Sequence, residues 1–488
     1  MRPGADGAGG PRAALNLYSP LSRIVRGEPA TVPLQASVRD ALELMERRHS
    51  RFVVVADPAT RVPLGIFTLR DLVGRVALPG GSLEEPIALA MTSGLLVLEP
   101  QASAHQAALA MARSGVRHVV VVDGGGRLVG VVSQEDIFGL QRVGVREVDD
   151  RLREATDLAG LQEAARAIRG LAGGLVAQGT SAETLTHVLT ALNDLLTIRV
   201  IELASDQHEL PPVPMCWMAL GSAGRLEQTF ASDQDNALLF EVEEDDAPAV
   251  RLMLLPFARA VNRMLDACGI PSCAGNVMAG NPDWCMTLSG WKRTFARWIL
   301  EPTPEAIRLA TVFFDFRAVH GSAALAERLR EWLLREVSGR TVFLRQMAES
   351  ALVFRPPLGT LRGFVLDRSR AFPHTLDLKM AGSVLFADAA RILGLARAVP
   401  HTSTAQRLRE VAEAGFFAPE TLAGLIDGFH FIHLLRLRNQ GRPGLAPGGG
   451  NRVDPRLLND LDRHVLREAF RQARRLQETL VAEYGLRS

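Results

Sequence analysis

Between Trp217 and Phe240 the chain reads WMALGSAGRLEQTFASDQDNALLF: an apolar run, a bend at Gly221-Ser222, ten further residues, then Asp233-x-Asp235 and a second apolar run. Apolar Met218 to Leu220 predicts a buried strand. The glycines permit a tight turn at which backbone N–H groups can approach phosphate oxygens. The segment starting near Arg225 is expected to be helical, with its N-terminus facing the same anion. Alternation along an extended segment puts Asp233 and Asp235 on one face and Gln234 and Asn236 on the other. Two carboxylates on one face suit Mg²⁺, which usually takes one or two carboxylates plus substrate phosphates. Paired ions about 3.5–4 Å apart would stabilise both attacking and leaving oxygens. Attack on an α-phosphate with pyrophosphate leaving is the reaction such a layout serves. A strand-turn-helix with a solvated acidic end is the bland alternative.

The spacing G-S-x10-D-x-D resembles the nucleotidyltransferase superfamily of kanamycin nucleotidyltransferase and polymerase β. The fuller form, GSAGRLE over Gly221–Glu227 and SDQD over Ser232–Asp235, is similar to the amino-terminal catalytic domain of PII uridylyltransferases and glutamine-synthetase adenylyltransferases. That resemblance implies a polymerase-β-like domain with a mixed sheet. It assigns the triphosphate to Gly221 and Ser222, and up to two Mg²⁺ ions to Asp233 and Asp235. It groups Arg225 and Glu227 with the nucleotide-binding residues. The superfamily adds a third carboxylate on a neighbouring strand. Asp283 and Asp315 are the nearest candidates, and an internal Asp315–Arg317 ion pair is the competing reading of the second.

A repeat stands ahead of this motif. Gln35-Ala36-Ser37 recurs as Gln101-Ala102-Ser103, RFVVVAD as RHVVVVD, and GIFTLRDL (Gly65–Leu72) as GVVSQEDI (Gly130–Ile137), at an offset of 66 residues early and 65 late. Each copy reads helix, strand, glycine-rich turn, strand, helix, and one copy cannot bury its sheet alone, so the two should pair. The repeat resembles a tandem CBS pair (Bateman module). Thr68 with Asp71, and Ser133 with Asp136, match that family's signature. There the hydroxyl contacts phosphate and the aspartate holds ribose hydroxyls, usually of an adenine nucleotide. T-x-x-D and S-x-x-D at a helix start also make capping boxes, which need no ligand.

These readings give a multidomain α/β plus α chain. Residues 1–17 read as a disordered tail without a signal-peptide core, 18–140 as the CBS pair, 141–208 as a helical connector, 209–335 as the nucleotidyltransferase domain and 336–488 as a C-terminal helical bundle. The connector's apolar stripe includes Leu185, Leu189, Leu192 and Leu196. Beyond residue 336 the pattern is helical throughout. LDLKxxG, RxLxL, TxxRL and LRLRxQ occur in the helical domain that accompanies this catalytic domain in CBS-containing relatives. Lys379, Arg436, Arg438 and Gln440 are the bundle residues to watch, because basic side chains there could neutralise triphosphate charge.

Composition closes off other classes. A net charge of +1 argues against nucleic-acid binding by bulk electrostatics. No apolar run approaches the roughly 18–20 residues of a membrane span. The four cysteines, Cys216, Cys268, Cys273 and Cys285, form no zinc-type spacing and read as buried thiols of a cytoplasmic protein. Two functions remain. One is Mg²⁺-dependent transfer of NMP from NTP to a protein acceptor, PII-like by resemblance only, regulated through the CBS pair of a homodimer. The other is a nucleotide-sensing module with little turnover that acts through a partner.

Overall fold

The computed structural model describes residues 19–486 except 26, 49, 360–362 and 443–448. The expected tail at 1–17 and most of the Pro443–Gly450 loop lie outside the described residues.

The chain divides into two compact units, with the boundary after Glu147. In the first, strands β1 (Thr31–Val32), β2 (Phe52–Ala56) and β3 (Pro63–Thr68) repeat as β4 (Val97–Leu98), β5 (His118–Val122) and β6 (Leu128–Ser133). In each copy the short leading strand pairs parallel with the central one, which pairs antiparallel with the last. The leading strands escape the sequence reading, since two residues carry no periodicity. Alternation along β2 sends Val53 and Val55 onto the copy's own helix at Val38, Ala41 and Met45. Val54 and Ile66 face the other way and meet Val120, Leu128 and Val131 of the second copy. The two sheets thus bury each other, as a paired repeat requires. Each copy is also closed by a segment from outside it. Leu21–Ile24 packs on the second copy, with Leu21 N–H donating to Ala102 O at 2.8 Å. Leu83 and Glu85 accept from Arg39 and Val38 of the first at 2.9 and 3.0 Å. The last helix, Gln134–Glu154, runs through the expected boundary at 140.

The second unit is built on a sheet ordered β10-β7-β8-β9: β7 is Met215–Ala219, β8 Asn236–Phe240, β9 Cys285–Thr287 and β10 Arg317–Gly321. Only β8 and β9 run parallel, so the sheet is mixed as expected. Both faces are covered, which is why β8 is buried at every position. Trp217, Leu238 and Phe240 pack on helices Leu158–Ala177, Ala182–Ser205 and Ala247–Ala267. Those first two helices are the expected connector. They form one layer against this sheet, so their apolar stripe is spent on packing within this fold. On the other face Cys216, Met218 and Leu239 begin a core that passes through Trp291, Phe295 and Phe313 into the C-terminal helices at Phe386, Leu393 and Phe470.

The segment SCAGNVMAGNPDW, whose sequence reads as strand and turn, holds no strand, and β9 begins just after it at Cys285. The C-terminal region is not all helix: Leu376–Asp377 pairs antiparallel with Arg452–Val453. The acidic run at Glu241–Asp246 makes surface ion pairs, Glu241 with Arg328 and Glu244 with Arg293, each at 2.8 Å.

Candidate active site

The bend between β7 and β8 is built from a positive backbone angle. Gly221 has φ +53°, a region costly for an L side chain. The helix that follows is a single turn, Gly221–Gly224. It therefore starts at the bend itself and ends where the sequence reading had it begin, at Arg225. Leu220 N–H donates to Asp235 O at 2.9 Å, which ties the bend to the aspartate segment. A Cβ on Gly221 would lie 3.0 Å from Asp235 Oδ2, so the carboxylate lies against the bend.

Asp233 and Asp235 stand in the extended lead-in to β8 and are half-buried, while Gln234 and Asn236 are buried. The alternation is held by an amide ladder. Asn262 Nδ2 donates to Gln234 Oε1 at 2.9 Å and to Asn236 Oδ1 at 3.0 Å, and Gln234 Nε2 donates to Ile270 O at 2.9 Å. With every second residue satisfied inward, the two aspartates share the opposite side. Burial first, and then the Asp233 charge, push the Asp235 carboxyl up to about 6. A hydrogen bond from the Cys273 thiol and the charges of Lys379 and Arg225 act the other way. Cys273 is a site neighbour that no spacing rule signals.

The bundle residues separate. The Lys379 charge reaches Asp235. Gln440 Oε1 accepts from Ala231 N–H at 3.3 Å, two residues before Asp233. Arg436 is buried one step behind, donating to Ser383 Oγ and Asn451 Oδ1 at 3.0 Å each. Arg438 points elsewhere, 3.8 Å from Asp462.

Arg225 and Glu227 are placed behind the bend. Arg225 Nε donates to Glu227 Oε2 at 2.7 Å, and its Nη1 to Asp315 Oδ2 at 2.8 Å. Asp315 is fully buried and also accepts from Arg391 and Arg407 at 2.8 and 2.6 Å. Burial alone would raise its carboxyl, but the three guanidiniums hold it far below the usual carboxylate range. Both of its oxygens are thus taken by guanidiniums, and the carboxylate is turned to the arginines. Arg317 pairs with Asp194 at 2.8 Å and not with Asp315. Asp283 is exposed on the one-turn helix Pro282–Trp284. Among the described residues no three His, Cys, Asp or Glu side chains gather closely enough to hold a metal ion. Arg391 and Arg407 are the residues the sequence reading missed. An arginine inside VLFADAARILGLA is itself a signal, since a buried charge must find partners.

In the first unit both capping boxes form. Asp71 Oδ2 accepts from Thr68 N–H and Oγ1 at 3.0 and 2.7 Å, and Asp136 Oδ2 from Ser133 N–H and Oγ at 2.9 and 2.6 Å. Asp71 Oδ1 also accepts from Thr92 Oγ1 at 3.0 Å. Thr68→Ala should therefore cost about 1 kcal/mol with no nucleotide present, read as a lower urea midpoint. An unchanged midpoint would show that the box contributes nothing.

A family model described as "Putative nucleotidyltransferase DUF294" matches residues 166–305, and "Putative nucleotidyltransferase substrate binding domain" matches 341–484. "CBS domain" matches 21–78 and 86–142. An uncharacterized protein of Methanopyrus kandleri is 28% identical over 123 residues, 25% of this chain and 62% of its own length. An arabinose 5-phosphate isomerase of Shigella flexneri is 35% identical over 107 residues, 22% of this chain and 33% of its own. The chain thus spans less than two thirds of each of these curated relatives. Among solved structures, a CBS domain protein of Pyrobaculum aerophilum complexed with AMP is 26% identical, covering 24% of this chain and 89% of that one at a TM-score of 0.23. A CBS-domain protein of Agrobacterium tumefaciens is 31% identical, covering 26% and 95% at a TM-score of 0.24.

Proposed function

The chain belongs to the CBS-domain-containing nucleotidyltransferase family, and from that premise we propose that it transfers NMP from a Mg²⁺-bound NTP to a protein acceptor. The observation that carries the reading is Asp235 lying against the Gly221 bend, with the like charge of Asp233 near enough to raise its carboxyl. Two carboxylates kept close in a half-buried place repel unless a cation joins them, so the pair fits Mg²⁺. Such an ion would neutralise triphosphate oxygens and stabilise the departing pyrophosphate. Gly221 and Ser222 shape the bend that receives the triphosphate, and the Lys379 ammonium adds positive charge from the helical domain. Arg225 and Glu227 serve the site by holding the turn and not by touching phosphate.

Thr68 with Asp71, and Ser133 with Asp136, would bind an adenine nucleotide as effector, each aspartate exchanging part of its cap for ribose hydroxyls. A homodimer through the CBS pair, a PII-like acceptor and a cytoplasmic location complete the proposal. Among the described residues no helix is long and apolar enough to cross a membrane.

The test is to incubate the protein and Mg²⁺ with each α-labelled NTP and cell extract, and to look for a labelled protein. Labelling that disappears in the Asp233→Ala/Asp235→Ala variant supports the proposal; no labelling with any NTP sinks it. A second reading, a nucleotide-binding module acting through a partner, is favoured by one observation. No third carboxylate joins the pair among the described residues. Nucleotide binding without pyrophosphate release would select it.

Cys273 offers an independent probe. It is half-buried, whereas Cys216, Cys268 and Cys285 are buried. Burial, then the Asp235 charge, raise its thiol, so alkylation should be slow at neutral pH and accelerate as pH rises. Modification at Cys273 should abolish labelling, Mg²⁺·NTP should protect, and Cys273→Ser should resist. Full labelling by the alkylated protein would show that the thiol lies away from the substrate.

A further inference from the structure

Resting on the reading of Gly221–Glu227 as the triphosphate turn, we infer that Asp315 is a positioning residue, the centre of a clamp through which the helical domain holds that turn in register with Asp235. The clamp has an unusual charge plan. Asp315 accepts from Arg225, Arg391 and Arg407, while Arg391 also pairs with Asp388 at 2.6 Å and Arg225 with Glu227 at 2.7 Å. Three guanidiniums therefore face three carboxylates. A buried ionic cluster rarely outperforms an apolar replacement in stability, but it fixes geometry, because each member tolerates few arrangements of its partners.

What the clamp fixes is the turn. A Cβ on Gly224 would lie 1.8 Å from Asp315 O, so the two backbones touch. Thr402 Oγ1 donates to Gly224 O at 2.7 Å, and Thr404 N–H donates to Glu227 Oε1 at 2.7 Å. Arg317 Nε donates to Ala223 O at 3.0 Å. Between these grips Leu226 sits at φ +62°, a left-handed conformation that an L side chain keeps only where the surroundings impose it. The turn's other side carries Gly221 against Asp235. Arg391, Thr402, Thr404 and Arg407 all belong to the C-terminal domain, so that domain completes the turn from behind as well as supplying Lys379 in front.

Two variants of the full chain test this. Asp315→Asn/Arg407→Gln removes one charge of each sign from the cluster. Thr402→Val removes one hydroxyl and no charge, and decides the matter should the first not fold. Each is read by thermal unfolding, by amide exchange of 221–227 against β7 and β8, and by turnover. The expected result is selective: exchange at 221–227 rises about tenfold or more while the strands stay protected. Turnover falls roughly 10²-fold in the double variant, because misplacing a reacting group by about 1 Å costs that much, with a smaller loss in Thr402→Val. Unchanged exchange at 221–227 in a folded variant overturns the inference, as does exchange that rises equally everywhere. If the wild type releases no pyrophosphate, the nucleotidyltransferase reading fails by itself, and the exchange pattern still decides whether the clamp exists.

Discussion

Asp235→Asn should make the ligand-free protein more stable at neutral pH while removing its turnover. Burial and the Asp233 charge raise the Asp235 carboxyl from 3.8 to about 6 in the folded chain. Between about pH 4 and 6 the folded state then binds more protons than the unfolded one, so stability falls as pH rises through that window. Above it the full penalty is present, up to about 3 kcal/mol at 1.36 kcal/mol per unit. Asparagine keeps the shape without the charge, so its melting temperature should exceed the wild type's at pH 7.5 and match it near pH 4. Pyrophosphate release should drop by roughly 10²–10³-fold or more, the scale of losing one electrostatic contact to the transition state. Mg²⁺ with NTP should stabilise the wild type and not the variant. A variant less stable than wild type at pH 7.5 would mean that the Cys273 hydrogen bond and the Lys379 and Arg225 charges outweigh the cost of burying the carboxylate.

Gly224→Ala is expected to be the most damaging single methyl in the turn. The new Cβ would meet Asp315 O at 1.8 Å and its carbonyl carbon at 2.8 Å. Both are backbone atoms, so no rotamer change relieves the overlap, and the loop entering β10 or the turn itself must move. Overpacking of this kind costs about 3 kcal/mol or more, and the displacement should also lower turnover sharply. Gly221→Ala is the contrast: its closest neighbour is the end of the Asp235 side chain at 3.0 Å, leaving mainly the positive φ to oppose it, about 1–2 kcal/mol. Melting temperatures of the two variants, measured together, check the order. Equal stabilities would show that the backbone contact at Gly224 yields freely.

What could be read from the sequence was local. The two aspartates share a side because extended backbone alternates, and Gln234 and Asn236 are satisfied inward as that pattern requires. The CBS repeat was legible because both copies carry the same apolar strands and helix caps. Long-range partners were hidden. Nothing near Asp315 signals that its neighbours come from Arg225, Arg391 and Arg407, and the role of Asp315 therefore stayed open between ligand and ion pair. The helices of 158–205 carry an apolar stripe that fits a linker as well as a sheet layer, and only packing decides. The short turn Gly221–Gly224 was misplaced because Arg225 and Leu226 have helix-compatible side chains, whereas Leu226 takes a left-handed backbone.

The most direct measurement is pyrophosphate release from each NTP, with cell extract as the acceptor source, over a Mg²⁺ titration in wild type and Asp233→Asn/Asp235→Asn. The expected result is release that saturates with Mg²⁺ for at least one NTP and vanishes in the variant. Release that survives the loss of both carboxylates, or that is absent from the wild type at every Mg²⁺ concentration, would contradict the assignment of this bend as a nucleotidyl-transfer site.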